Sequence, residues 1–248
     1  MKFSSFNGNR SIMTEKIERN VSKRIINLTR ELPVQNQYTL ALDNEYKHVA
    51  FNEERAPLNK GKWREKVFQA SANQPLDLEI GTGAGHFFNH QALKHPERFL
   101  VGMELKYKPL IQSIRRALKS GAKNAAICRF HAFNVEDLFE ENELNNVFIH
   151  FPDPWVTPKK PRNRLVQKSN LEKLFKLQKS GSFVEFKTDS LVYFEWALEE
   201  IKNSPYEIEF CTFDLHQSEK AKDNFITGFE SIFIRQGIKI NYVLLRKN

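Results

Sequence analysis

Leu76-Asp77-Leu78-Glu79-Ile80-Gly81-Thr82-Gly83-Ala84-Gly85 is the stretch on which the reading of this chain turns. Its first five residues form a short apolar run and read as a strand. The next five hold three glycines and read as a tight turn into a helix. Glycine adopts positive φ without penalty and carries no Cβ to keep a ligand off the backbone. In open α/β sheets a ligand sits beyond the carboxyl ends of the strands. A tight strand-to-helix turn with no ligand is the plainer reading of the same residues.

Working outward, the helix after this turn is expected to run to about Lys94, with a second strand over Arg98 to Glu104. Leu110, Ile111, Ile114 and Leu118 fall on one face of a following helix, which Gly121 ends. Further strands are expected at Ala125 to Phe130, Asn146 to Phe151 and Ser182 to Lys187, then late in the chain at Glu207 to Leu215 and Lys239 to Arg246. Strands alternating with helices predict an α/β fold, a mainly parallel sheet with helices on both faces. Two closing strands without a strong helix after them point to an antiparallel C-terminal ending.

The chemistry of the turn narrows its ligand. A dinucleotide fingerprint needs glycine at its first, third and sixth positions. Counted from Gly81, the sixth is His86, which argues against a nicotinamide dehydrogenase. Glu79 would repel a pyrophosphate but could hold the ammonium of an amino acid. Glu104 ends the second strand, where an acid binds ribose hydroxyls. An amino-acid end and an adenosine end together describe S-adenosylmethionine.

Phe151-Pro152-Asp153-Pro154-Trp155 follows the fourth strand. The two prolines fix φ at two positions and restrict the residues before them. Asp153 is therefore expected in a stiff loop at the carboxyl edge of the sheet, with the flat face of Trp155 nearby. A proline-rich connection with one exposed acid is the bland alternative.

The chain has 248 residues and a formal net charge of +8. Positive charge concentrates between Lys159 and Lys187, where Lys159, Lys160, Arg162, Arg164, Lys168, Lys173, Lys176, Lys179 and Lys187 are offset only by Glu172 and Glu185. Such a tract beside a candidate site suits a polyanionic substrate. No apolar run reaches the length needed to span a bilayer, so no membrane partner is expected. Cys128 and Cys211 stand in separate segments, and no paired Cys/His spacing marks a metal site. The first residues lack the apolar stretch of a secretory signal, and a cytoplasmic protein is expected. Residues 1–60 read as a basic N-terminal extension, with a weak helical pattern over Met13 to Arg30, and residues 61–248 as the main domain. The scattered aromatics Phe3, Phe6, Tyr38, Tyr46, Phe51, Trp63 and Phe68 are expected to dock on that domain rather than to stack on RNA.

Glu79 to Gly85, the strand ending Gly102-Met103-Glu104-Leu105, FPDPW, Lys187-Thr188-Asp189 and Thr227-Gly228-Phe229-Glu230 resemble the bacterial tRNA (guanine-N7-)-methyltransferases, in that family's order and at about its spacing. The likeness covers roughly residues 60 to 246. It implies a Rossmann-like class I methyltransferase using S-adenosylmethionine and, as substrate, guanosine 46 in the variable loop of tRNA. It also implies that Glu79, Gly81, Gly83, Gly85, Glu104, Asn134 and Asp153 bind the cofactor, with Asp153 also catalytic. On the substrate side it points to Asp189 and the run Thr227, Gly228, Phe229 and Glu230, with Lys159, Lys160, Arg162 and Arg164 in the basic run. The chain departs from the pattern at Thr157, where a basic residue is usual, and at Asn163, where arginine is usual. A methyltransferase for another RNA or a small molecule shares the glycine turn but has no need of the basic tract. A non-catalytic RNA-binding relative predicts a broken cofactor site, yet Glu79, Gly81, Gly83, Glu104 and Asp153 are all present.

Overall fold

The strand β2 (Leu76–Ile80) is buried at every position, as a strand with neighbours on both sides and helices on both faces must be. It pairs in parallel with β3 (Phe99–Met103) on one side and β5 (Val147–His150) on the other. The computed structural model describes residues 35–155 and 161–248. The remaining strands are β1 (Ala50–Phe51), β4 (Ala125–Cys128), β6 (Phe183–Thr188), β7 (Glu207–Thr212) and β8 (Asn241–Arg246). They form one sheet in the order β1-β4-β3-β2-β5-β6-β8-β7. All pairings are parallel except those of β8, which runs antiparallel to both β6 and β7.

From β2 the chain steps outward through β3 to β4, then returns across the sheet to β5 and β6. The order reverses between β2 and β5, and that reversal opens a crevice at the carboxyl ends of these strands. At the other end of the sheet Arg98 donates two 2.6 Å hydrogen bonds to Asp77, whose Oδ1 also accepts from the Asn146 amide. That bidentate pair pins β3 to β2, with β5 tied in beside them.

On one face lie α1 (Gln37–Asp43), α2 (His86–Lys94) and α3 (Tyr107–Lys119). Leu110, Ile111, Ile114 and Ala117 of α3 are buried against Phe88, Leu100 and Ile127, and Leu118 packs beside them. The expected apolar stripe is therefore the buried one, and Gly121 follows the helix at φ +86°. On the other face α5 (Leu191–Lys202) sets Tyr193 and Phe194 against Phe186 of β6, with α4 (Lys168–Leu177) next to it. A short α6 (Gly228–Arg235) connects β7 to β8.

Gln37–Asn248 form a single compact unit, so the boundary expected at residue 60 falls inside it. Ala50 and Phe51 pair with Ile127 and Cys128 at the sheet edge. Arg55 gathers the carbonyls of Leu42, Lys47 and Ala50. Trp63 is fully buried, donates to the Leu138 carbonyl at 2.8 Å and packs on Phe51 and Phe139. Among the aromatics expected to dock, Phe51 and Trp63 do so, and Tyr46 joins the core. Phe3, Phe6 and the helix expected over Met13 to Arg30 lie outside the described residues. No described helix is long and apolar enough to cross a membrane.

Candidate active site

The glycine turn caps the crevice. Gly81, Gly83 and Gly85 all have positive φ, at +85°, +52° and +77°. Their surroundings separate their roles. A Cβ at Gly81 or Gly83 would meet nothing within 4 Å, whereas one at Gly85 would stand 2.5 Å from Ser113 of α3. Gly81 and Gly83 thus present bare backbone to open space, and Gly85 lets α2 and α3 approach each other. Arg116 of α3 donates to the Ala84 carbonyl at 3.1 Å and holds the turn from outside.

Two carboxylates flank this turn. Glu79 is 2% exposed, and its Oε2 has no hydrogen-bond partner among the described residues. Burial, reinforced by the like charge of Glu104 and opposed by Lys187, pushes its carboxyl up to about 8. A buried carboxylate without a partner is costly, so this oxygen is poised for a cation. Glu104, half-buried just past β3, accepts from the Gly83 amide at 3.0 Å and the Lys106 amide at 3.0 Å. These bonds orient its oxygens beside the turn. Chemically, the pair can accept an ammonium at Glu79 and a diol at Glu104. Asn134 sits after β4 at a kink in a 3-10 segment, Ala132–Asp137, with its side chain partly buried on the same edge of the sheet.

The FPDPW loop leaves β5 at that edge. The Phe151 amide donates to the Lys187 carbonyl at 2.8 Å, extending the β5–β6 pairing by one residue. Phe151 and Trp155 then both take positive φ, at +51° and +41°, a conformation that costs about 1 kcal/mol or more for a side chain other than glycine. Asp153 stands exposed between these two bends. Arg164 is buried: its Nε donates to the Pro154 carbonyl at 2.9 Å, and its guanidinium lies 4.8 Å from the Trp196 ring centre and 5.3 Å from that of Tyr193. Arg162 is exposed in the turn Pro161–Asn163. Lys159 and Lys160 lie outside the described residues.

The remaining expected substrate residues divide into two environments. Asp189 is half-buried at the carboxyl end of β6, immediately before the Ser190 cap of α5. Thr227 caps α6, and Thr227 and Glu230 form a reciprocal capping box. Gly228 and Phe229 are exposed, Phe229 by 62%. Glu230 is fully buried and engaged on all sides. Asn224 donates to it at 2.6 Å, Lys187 Nζ lies 3.6 Å from Oε2, and His216 Nε2 lies 3.1 Å from Oε1. Lys187 is itself 2% exposed and also donates to Asn224 and, at 3.4 Å, to the Phe225 carbonyl. The basic tract is thus less uniform than its composition implies. Lys187 and Arg164 point inward, Lys173 pairs with Glu136 and Lys168 with Glu172.

Sequence reasoning missed Asn224 and His216, which reach Glu230 only through the fold. It also missed a buried polar chain beside the crevice. His150 Nε2 lies 2.7 Å from Glu185 Oε1, and the Tyr242 hydroxyl donates to Glu185 Oε2 at 3.1 Å. Burial, the neighbouring Lys187 charge and the partly opposing carboxylates leave His150 below the ordinary imidazole value. The available signals were a histidine directly before FPDPW and an acid inside a strand.

Comparison with known proteins gives the fold class and the family. A family model described as "Putative methyltransferase" matches residues 73–243. The 16S rRNA methyltransferase KamB superposes with a TM-score of 0.51 at 14% identity, over 71% of this chain and 91% of that one. The 16S rRNA (adenine(1408)-N(1))-methyltransferase of Catenulisporales acidiphilia does so with a TM-score of 0.51 at 15% identity, over 75% and 90%. The fold is that of the class I S-adenosylmethionine-dependent methyltransferases. Among proteins of known sequence, the tRNA (guanine-N(7)-)-methyltransferase of Bdellovibrio bacteriovorus is 65% identical over 208 residues, 84% of this chain and 100% of that one. The protein of the same name from Brevibacillus brevis is 31% identical over 181 residues, 73% of this chain and 83% of that one. The chain belongs to the tRNA (guanine-N7-)-methyltransferase family.

Proposed function

We propose that this protein transfers the methyl group of S-adenosylmethionine to N7 of guanosine 46 in the variable loop of tRNA. The observation that carries the cofactor assignment is the buried, unpartnered Oε2 of Glu79 beside the open backbone of Gly81 and Gly83. An amino-acid ammonium satisfies that oxygen, and the ribose hydroxyls of an adenosine suit Glu104, already oriented by two backbone amides. Asn134, on the same edge, would lie beside the adenine. The tRNA assignment is supported by the name of the 65% identical relative.

When bound, S-adenosylmethionine supplies an electrophilic methyl group, so that an N7–carbon bond forms as the sulfur–carbon bond breaks. Guanine N7 already offers a free lone pair, so no residue of the chain has to remove a proton from it. The protein's task is then to position the base and to stabilise the positive charge that develops on it. Asp153, exposed on its stiff loop, anchors the guanine and faces that charge. Asp189 supplies a further acceptor for the N–H groups of the base. Glu230, enclosed by Lys187, Asn224 and Thr227, acts from behind by fixing the turn that presents Gly228 and Phe229. Lys159, Lys160 and Arg162 take phosphates, which set the register of the RNA without reading its sequence.

Labelled S-adenosylmethionine incubated with unmodified tRNA tests the reading. Label recovered as 7-methylguanosine at position 46 is the expected result. Absence of 7-methylguanosine, or its appearance only at another position, overturns it.

A further inference from the structure

The outer side of α2 carries a groove that the candidate active site does not use. His86, His90 and Lys94 recur every four residues and so share one face of the helix. Arg116 of α3 stands beside them, its guanidinium 3.4 Å from His86 Nε2. With Phe225 they line a cavity of about 440 Å³. No aspartate or glutamate lines it among the described residues, whereas the cleft on the other side of His90 and Lys94 includes Glu97, Glu185 and Asp223. From the proposed reading of an RNA substrate, we infer that this groove is a second RNA-binding site, which takes the phosphodiester backbone of the strand as it leaves the active-site mouth.

Three observations carry the inference. The first is position. His86 follows the glycine turn directly, and a Cβ on Gly228 would stand 4.0 Å from its ring. The groove therefore starts at the rim of the mouth and continues for about 12 Å along α2. The second is unopposed charge. His86 is held below the ordinary imidazole value by burial and by Arg116, and His90 by burial and by Lys94, His95 and Lys187. Both rings are thereby favoured in the neutral form, so Lys94 and Arg116 supply the groove's charge; no acid stands among its described lining residues, and a phosphate would neutralise them. The third is a flat surface. The His90 ring stacks on Phe225 at 4.1 Å with 18° between planes, which gives a base or ribose a face to lie on beside the phosphates.

The test uses the full chain with unmodified tRNA. Lys94→Glu and His90→Gln should each raise the KM for tRNA several-fold and leave kcat and S-adenosylmethionine affinity unchanged. The log–log salt dependence of tRNA binding should become shallower by roughly 0.7 to 0.9 in Lys94→Glu, the effect of one lost phosphate contact. Lys202→Glu makes the same charge change on α5, which packs on the opposite face of the sheet, and should behave as wild type. If Lys94→Glu matches either wild type or Lys202→Glu in tRNA KM and salt dependence, while the wild type still forms 7-methylguanosine, the groove assignment falls and the proposed function stands. A wild-type chain that does not methylate tRNA removes both.

Discussion

The Nε of Arg164 donates to the carbonyl of Pro154 at 2.9 Å, so the end of the basic run is tied back to the residue that follows Asp153. The guanidinium lies against Trp196 and Tyr193 of α5, and the loop it holds is bent at Phe151 and Trp155. Without this tie the two bends lose a support that keeps Asp153 in place. Arg164→Ala should therefore lower kcat by about 100-fold, the scale expected when a reacting geometry slips by an ångström. S-adenosylmethionine affinity should stay within about twofold. Arg164→Lys should recover only part of the rate, because an ammonium neither stacks on the two rings nor forms the same planar fork. Steady-state kinetics with both substrates checks this. A rise in tRNA KM at unchanged kcat would instead make Arg164 a phosphate contact.

The sequence exposed those parts of the fold in which burial follows a local pattern. β2 is a short apolar run, and all of it is buried. The 3.6-residue spacing of Leu110, Ile111 and Ile114 marks the face of α3 that meets the core. It concealed the parts in which burial is decided by a distant segment. In β6, Glu185 and Lys187 alternate with Val184 and Phe186 and read as the solvent side of a strand. That side is closed over by residues around Asn224 and Phe225, which enter the chain much later. In α6 the acid is the buried residue, while Phe229, Ile232 and Ile234 remain exposed. No amphipathic rule finds such a helix, and neither α6 nor the two-residue β1 was legible. That Glu79 and Glu104 flank the glycine turn was legible because strand-end acids beside such a turn are positioned by local geometry alone.

If the buried carboxyl of Glu79 holds the cofactor's ammonium, as proposed, cofactor binding is a proton-linked event. Its value of about 8 lies above the ordinary carboxyl value of 4.5, so between those limits the folded chain holds a proton that the unfolded chain has released. Its contribution to stability is complete below about pH 4.5 and is lost as pH rises through about 8. An ammonium placed beside it favours the ionised form. At pH 6.5, where an amino-acid ammonium is charged, binding of S-adenosylmethionine should release close to one proton. Calorimetry in buffers of different ionisation enthalpy measures this directly, and a heat that does not depend on the buffer contradicts it. Glu79→Gln should abolish the proton release and weaken cofactor binding. It should also raise the melting temperature of the ligand-free protein at pH 8.5 by a few degrees.

Lys187 and Glu230 form a buried ion pair at 3.6 Å, and each is almost wholly excluded from solvent. Removing one partner leaves the other as an uncompensated charge, at a cost of about 3 to 5 kcal/mol. Glu230→Ala also deletes half of the capping box on α6 and leaves the Asn224 amide without its acceptor. A denaturation midpoint lower by an amount in that range is expected for Glu230→Ala. Adding Lys187→Met should return a substantial part of the loss, since a neutral pair carries no unpaired charge. A double-mutant cycle isolates the coupling. Additive losses would show that Glu230 stabilises the protein through the cap and its Asn224 and His216 contacts rather than through Lys187.

Asp153 differs from Glu230 in every respect that decides how a substitution reads out. It is exposed, it lies between two prolines, and its loop is fixed by the backbone bends at Phe151 and Trp155 and by the bond from Arg164. The rigidity of the loop does not depend on the carboxylate, so Asp153→Asn should change stability by no more than about 0.5 kcal/mol. Its catalytic effect should be large. An amide keeps the shape and one acceptor but not the charge proposed to face the methylated base, and the loss of one such electrostatic group costs about 100- to 1,000-fold in kcat. Equilibrium binding separates the two tasks the residue could perform. Unchanged S-adenosylmethionine affinity with a collapsed kcat assigns Asp153 to the guanine. An equal loss of cofactor affinity assigns it to orienting the methyl donor. Methylation at the wild-type rate removes Asp153 from the mechanism and leaves the stiff loop without a chemical purpose.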